Sequence, residues 1–233
     1  SCLVGSEMSI RDSAYMDKLV GKLLRQLDHT GVRENTLVMF VGDNGTDTPV
    51  VSRWKGMDVA GAKGKMTDAG TRVPLIASWP GTFPAGQVSE ELVDFSDFLP
   101  TMCEVSGIEV PAGIDGRSLL ATLRGGDQRH RDWIYMWYSR NGGNAVARQF
   151  ARDRRYKLYG DGKFYDLLAD PDEKDPLAEF SEVEDQVRSK LKAGIDHYRD
   201  KRPAHLGLAK TKEKKEKEKK KNRKTSKAVG ETD

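Results

Sequence analysis

Asp43 and Asn44 stand side by side in Gly42-Asp43-Asn44-Gly45, directly after the apolar run Thr36-Leu37-Val38-Met39-Phe40-Val41. A carboxylate and an amide carbonyl are both hard oxygen donors, so the pair suits Ca²⁺ or Mg²⁺ and not a soft metal. Asn-Gly is also the commonest tight-turn dipeptide, and taken alone the pair reads first as a plain turn. Twenty residues after Asp43, Gly61-Ala62-Lys63-Gly64-Lys65 sets a lysine between small residues. Its ammonium is a compact point charge that can approach an anionic oxygen closely. Beside a metal ion it would stabilise charge on a transferred oxyanion group; alone it is an ordinary solvated loop. Arg72, in Gly70-Thr71-Arg72-Val73-Pro74, precedes a strand and reads as the structural partner of a carboxylate. The histidines at 29, 130, 197 and 205 have no metal-ligand spacing, and Cys2 and Cys103 lack a nucleophile's context. No Gly-x-Ser-x-Gly elbow, Walker loop or dinucleotide fingerprint is present.

Two loops twenty residues apart share a site only if the elements around them bring them together. Tyr15, Met16, Leu19, Val20, Leu23, Leu24 and Leu27 fall at helical spacing, with Ser13 as N-cap and Gly31 just past the end. This predicts an amphipathic helix packed on something larger. The run over 36–41 is short and continuously apolar, which suits a strand buried on both faces in a helix-covered parallel sheet. In such folds ligands gather at the carboxyl ends of strands, where Asp43 falls. Residues 46–72 show little hydrophobic periodicity. Val73-Pro74-Leu75-Ile76-Ala77-Ser78 predicts a second strand, at an edge because of Pro74, closed by a Trp79-Pro80-Gly81 turn. Residues 96–105 read as a helix stopped by Gly107, 115–116 as a turn and 118–123 as a short helical stretch. Beyond Gly125-Gly126, short aromatic-rich runs split by Gly160-Asp161-Gly162 predict an antiparallel meander. Val183, Val187, Leu191 and Ile195 then form a stripe on a last helix that could cover one face of it.

The 233 residues are 37% apolar and 32% charged. No run approaches the roughly 18 apolar residues of a membrane span, and two cysteines cannot build a disulfide scaffold. Residues 210–227 hold ten Lys and one Arg against three Glu, which leaves residues 1–209 mildly acidic. That tail has no apolar face to bury and no aromatic residue to stack a base, so it reads first as a solvated extension, with salt-sensitive phosphate contacts of its lysines as the other reading. The opening SCLVGSEMSI has neither a basic n-region nor an initiator Met, the pattern of a fragment or processed product.

Taken in order, the motifs resemble those of the sulfatases of the alkaline-phosphatase-like superfamily, arylsulfatase A-like enzymes above all, from about Tyr15 to Glu173. In that family a helix and a TLVMFV-type strand lead to an Asp-Asn-Gly loop, here Asp43-Asn44-Gly45. A K-G-x-x-x-E/D-G/A-G-x-R-V-P segment follows, here Lys63 to Pro74, then a W-P-G turn, here Trp79-Pro80-Gly81. A D-x-x-P-T helix, here Asp97 to Thr101, and a Y-D-L-x-x-D-P-x-E segment, here Tyr165 to Glu173, complete the set. The resemblance implies that Asp43 and Asn44 are two ligands of the family's Ca²⁺, with Mg²⁺ the other hard cation to consider. It implies that Lys63 contacts the sulfate of an aryl or carbohydrate sulfate ester. Asp68 and Arg72 look like structural members of the loop. In fold, it implies an α/β architecture: the C-terminal part of a mixed sheet covered by helices, then a small antiparallel sheet with a C-terminal helix. The divisions expected are 1–125, 126–205 and a disordered basic tail, 206–233. The family is mostly secreted, periplasmic or lysosomal.

The departures are specific. The family's nucleophile is a formylglycine made in a C/S-x-P-x-R motif, and no such motif occurs in these 233 residues. The paired N-terminal aspartates of the calcium site and the upstream Lys and His of the sulfate pocket are also missing, and Gly42 replaces the usual hydroxyl residue. The expectation is a C-terminal portion, inactive by itself, weak in Ca²⁺ affinity and poorly stable. Two alternatives stand beside it. One is a phosphatase or phosphodiesterase of the same superfamily, against which the lack of an Asp-His pair near residue 43 argues. The other is a non-catalytic chain whose basic tail binds polyanions.

Overall fold

The apolar spacing of the first segment does fold as a helix in the computed structural model, which describes residues 3–54, 56–140, 147–199 and 201. Helix α1 (Leu3–His29) begins ten residues before Ser13, so Ser13 lies in its interior and is not its N-cap. Its end is as expected: Gly31 takes φ +72° and the Val32 amide donates to the Leu27 carbonyl at 3.1 Å, a glycine-terminated cap. Part of the stripe meant to pack is in the open, with Tyr15 62% and Leu23 65% exposed, while Val20, Leu24 and Leu27 are half-buried.

Strand β1 (Val38–Val41) pairs with β4 (Leu75–Ser78), and the pairing is antiparallel, Val38 facing Ser78 and Val41 facing Leu75. The parallel, doubly covered strand expected from the apolar run is therefore corrected: all four β1 residues are half-buried, and β4 is their sole strand partner among the described residues. A short apolar run fixes burial demand but not the direction of its neighbour. A 3-10 turn (Arg33–Asn35) ties this ribbon down, through Arg33 to Ser78 Oγ (2.6 Å) and Trp79 Nε1 to the Glu34 carbonyl (2.7 Å). Between the two strands the chain makes a hairpin, β2 (Val51–Trp54) with β3 (Met57–Ala60), turning at Gly56 (φ +83°), and a short helix, α2 (Asp68–Thr71). The hairpin lies in the stretch read as featureless; its β3 side chains are all exposed, so no burial pattern marked it.

Helix α3 (Phe98–Val105) follows a 3-10 turn (Phe95–Asp97), and Gly107 ends it at φ +66°. Its D-x-x-P-T signature is a junction. The Asp97 side chain is fully buried and accepts from the Asp94 amide (3.0 Å), the Arg117 amide (2.8 Å) and His130 Nε2 (3.1 Å), with the Arg131 guanidinium beside it. Thr101 Oγ1 accepts from the Leu119 amide just ahead of helix α4 (Leu120–Leu123). The expected turn at 115–116 falls instead at 112–113.

The meander appears as read: β5 (Ile134–Tyr138), β6 (Arg148–Arg152), β7 (Tyr156–Tyr159) and β8 (Phe164–Asp166) form one antiparallel sheet in sequential order. Helix α5 (Glu182–Arg199) lies across it, started by a reciprocal cap in which Glu184 Oε2 accepts from the Ser181 amide (2.8 Å). Leu191 and Ile195 of its stripe join Ala151, Tyr156, Leu158 and Phe164 in the core, while Val183 stays exposed. Ile195→Val removes one buried methyl and is expected to cost about 1 kcal/mol in a urea unfolding curve; no change would mean that α5 does not seal this core. The basic tail read at 206–233 lies outside the described residues.

Candidate functional site

The loop after β1 is built on backbone contacts. The Gly42 amide donates to the Pro74 carbonyl (3.1 Å) and the Gly45 amide to the Gly70 carbonyl (3.0 Å), which holds the loop against α2. Neither Asn44 nor Gly45 has positive φ, so the primed hairpin turn that Asn-Gly suggests is not what forms here. Glycine is needed at 45 for another reason: a Cβ there would sit 2.1 Å from the Ala69 carbonyl oxygen. Asp43 is exposed and Asn44 half-buried.

The Lys63 loop meets the same place. The Lys63 amide donates to the Thr46 carbonyl at 3.0 Å, three residues on from Asp43, and the Lys65 amide closes a turn onto the Ala62 carbonyl at 2.8 Å. Gly61 passes so close that a Cβ would lie 2.0 Å from the Asp47 carbonyl oxygen. Lys63 and Lys65 are both exposed. The two loops singled out in the sequence are thus interlaced through their backbones. Asp43 also lines an open cleft of 1220 Å³ that runs beside β4, β5 and β6 and includes Arg72, Arg131 and Arg152; Asn44 and Lys63 are not among its walls.

As donors, Asp43 and Asn44 fit a hard cation in chemistry and fall short in number, since Ca²⁺ takes six to eight oxygens. Among the described residues no group of three or more His, Cys, Asp or Glu side chains is placed to hold a metal ion.

Beneath the Lys63 loop lies a charge cluster that sequence reading did not find. Lys157 on β7 is fully buried, and its Nζ donates to the Met66 carbonyl (2.6 Å), Glu173 Oε1 (2.9 Å) and Asp68 Oδ1 (3.3 Å). Glu173 Oε1 also accepts from the Asp68 amide (2.8 Å), and its other oxygen accepts from the Tyr159 hydroxyl. Arg152 pairs with Asp68. Burial alone would raise the Asp68 carboxyl, but the Arg152 guanidinium and the Lys157 ammonium hold it below the ordinary carboxylate range. Burial pushes Lys157 down despite Glu173 and Asp68, and pushes the Tyr159 hydroxyl, already bonded to Glu173, strongly up. Asp68, read as a structural member of the loop, is one anchor of this cluster. Arg72 is exposed, its amide bonded to the Asp68 carbonyl (2.8 Å). The one available signal was that Asp68 and Glu173 each fill an acidic position of a motif; their contact spans 105 residues.

Comparison with known proteins agrees with this architecture. The sulfatase family model matches residues 9–108, and the model for the N-sulphoglucosamine sulphohydrolase C-terminal region matches residues 62–201. Among curated relatives, the N-acetylglucosamine-6-O-sulfatase of Bacteroides thetaiotaomicron is 28% identical over 202 residues, 81% of this chain and 35% of its own. Arylsulfatase K of Xenopus laevis is 25% identical over 224 residues, 86% of this chain and 40% of its own. A solved structure of a protein in complex with its substrate D-glucosamine-2-N,6-O-disulfate superposes with a TM-score of 0.66 at 27% identity, covering 80% of this chain and 39% of that one. A phosphonate monoester hydrolase from Silicibacter pomeroyi, at 21% identity and a TM-score of 0.59, shares the fold, with 82% of this chain and 40% of that one covered. This chain therefore spans less than half the length of the relatives it matches. With a family model running through more than half of its residues, it belongs to the sulfatase family and corresponds to the C-terminal portion.

Proposed function

We propose that this chain supplies one part of a sulfuric ester hydrolase site, with Asp43 and Asn44 as donors to a divalent cation, Ca²⁺ first, and Lys63 as the cation that grips the sulfate. The observation that carries this reading is the interlacing of the two loops: Lys63 amide to Thr46 carbonyl and Gly45 amide to Gly70 carbonyl, both at 3.0 Å. A bound Ca²⁺ would offset negative charge on the sulfate oxygens. The exposed Lys63 ammonium donates to one of those oxygens and holds the group in place while charge builds on it. The nucleophile such chemistry needs is not among these 233 residues, so the chain by itself is read as inactive, and its two metal donors as a weak site. The N-acetylglucosamine-6-O-sulfatase and the disulfated glucosamine complex support a sulfated carbohydrate as substrate, and Arylsulfatase K keeps an aryl sulfate beside it. We place the boundary between the α/β part and the small sheet near residue 126.

The test is hydrolysis of a sulfated amino sugar, an aryl sulfate and an aryl phosphate by a protein that carries this chain together with a nucleophile-bearing N-terminal portion. Sulfate ester turnover is expected, with Lys63→Ala lowering kcat/KM by about 10²–10³. Phosphate ester turnover alone would select the phosphatase reading instead. For the chain by itself, submicromolar Ca²⁺ binding by calorimetry would contradict the partial site.

A further inference from the structure

Lys157 is an expensive residue to bury, and stability does not explain it. Its Nζ lies 4.2 Å from the Phe150 ring centroid, in surroundings where an apolar side chain could pack. Exchanging a buried ion cluster for apolar groups is often neutral or favourable. What the lysine does instead is satisfy acceptors outside its own sheet: its three donors meet the Met66 carbonyl, Asp68 and Glu173. Glu173 is itself held at φ +57°, the left-handed region that non-glycine residues seldom enter, and it is the one such residue described. That conformation accompanies an Oε1 shared between the Lys157 ammonium and the Asp68 amide. From Met66 and Asp68 the backbone is continuous to both halves of the site. One direction runs back through Lys65 and Ala62 to Lys63. The other runs through α2, where Gly70 receives the Gly45 amide.

We infer that Lys157 and Glu173 are positioning residues for the anion site: acting through the Met66 carbonyl and the Asp68 amide, they fix where the loop presents Lys63 relative to the Asp43-Asn44 tip. The small antiparallel sheet thereby sets the geometry of a loop in the other part of the chain. This inference rests on the reading of Lys63 given above. Neither residue touches the sulfate; each works through backbone.

The test uses the full 233-residue chain, ¹⁵N-labelled, with Glu173→Gln, Lys157→Met and, as a control, Arg155→Ala. Arg155 pairs with Asp166 (2.7 Å) next to the same strand and stacks on Tyr156, apart from the Lys157–Glu173–Asp68 cluster. Two readouts are taken: amide exchange at Gly45, Lys63 and Asp68, and the shift of the Lys63 amide on titration with millimolar inorganic sulfate at constant ionic strength. Glu173→Gln, the milder change, is expected to speed exchange at those three amides about tenfold or more and to weaken sulfate about tenfold. Exchange at Leu158 and Phe164 should stay as in the parent, and Arg155→Ala should leave loop and sulfate alone. A pair that served stability alone would alter unfolding without altering the sulfate affinity of the folded chain. Unchanged exchange at Lys63 and Gly45 in both variants, or an equal rise throughout the small sheet in Glu173→Gln, overturns the positioning role. Absence of any sulfate-dependent shift at Lys63 in the parent overturns the anion-site reading, and with it the assignment of these residues to that site.

Discussion

Gly45→Ala is expected to lower the unfolding free energy by about 2–4 kcal/mol and to abolish any response of Asn44 and Lys63 to Ca²⁺ or sulfate. The added methyl would lie 2.1 Å from the Ala69 carbonyl oxygen and 2.7 Å from Gly70 Cα, and both are backbone atoms that cannot rotate aside. Relief requires the loop and α2 to separate, which breaks the Gly45–Gly70 hydrogen bond. Gly61→Ala should act the same way from the other side, through the Asp47 carbonyl oxygen at 2.0 Å. The two substitutions break different contacts, Gly45 on α2 and Gly61 on Asp47, but both lie between the same two loops, so both should disturb Lys63. Urea unfolding and amide spectra of residues 43–71 measure this. Native-like spectra for both alanine variants would show that the loops are not wedged together, and the site as drawn would not exist.

How much of this could be read from residues depends on the range of the interaction. The meander was legible because its punctuation is local: Gly160-Asp161-Gly162 separates β7 from β8, and Gly162 does take φ +94°. The stripe of α5 was legible because Leu191 and Ile195 repeat at helical spacing and pack on one core. The hairpin over 51–60 was not, since nothing buries it. The direction of β1 pairing was not, since antiparallel and parallel partners ask for the same apolar run. At the candidate site, residue types at 43, 44 and 63 suggested the chemistry, but the reason for Gly45 was misread. It is there for the approach of Ala69, a contact 24 residues away, and not for a turn. Lys157 was invisible for the same reason. Within Tyr156-Lys157-Leu158 it looks like the outward residue of an alternating strand, and only the tertiary fold supplies Met66, Asp68 and Glu173 as its partners.

Lys157→Met is expected to cost about 3–5 kcal/mol, the usual penalty for stranding a buried charge. Methionine matches the lysine stem in length and can pack on Phe150, so lost volume is not the cause. The Glu173 side chain is 1% exposed and would lose its buried cation, while Asp68 would keep Arg152 as its ion-pair partner among the described residues. Removing the stranded charge as well should recover much of the loss, so the Lys157→Met, Glu173→Gln double variant is expected to be more stable than Lys157→Met alone. The acid limb gives an independent check. Burial opposes ionisation of Asp68, but Arg152 and Lys157 together depress its pKa in the folded state. Its contribution to stability is therefore full above the ordinary carboxylate range and disappears as pH falls through the depressed native value. Without Lys157 that native value rises toward the ordinary one, so the loss on acidification should be smaller and should end at higher pH. Urea midpoints collected from neutral to acid pH decide the matter. A methionine variant with the parent's midpoint and an unmoved acid limb would mean that the carboxylates find water or other cations, and that the cluster is not the joint between the small sheet and the Lys63 loop.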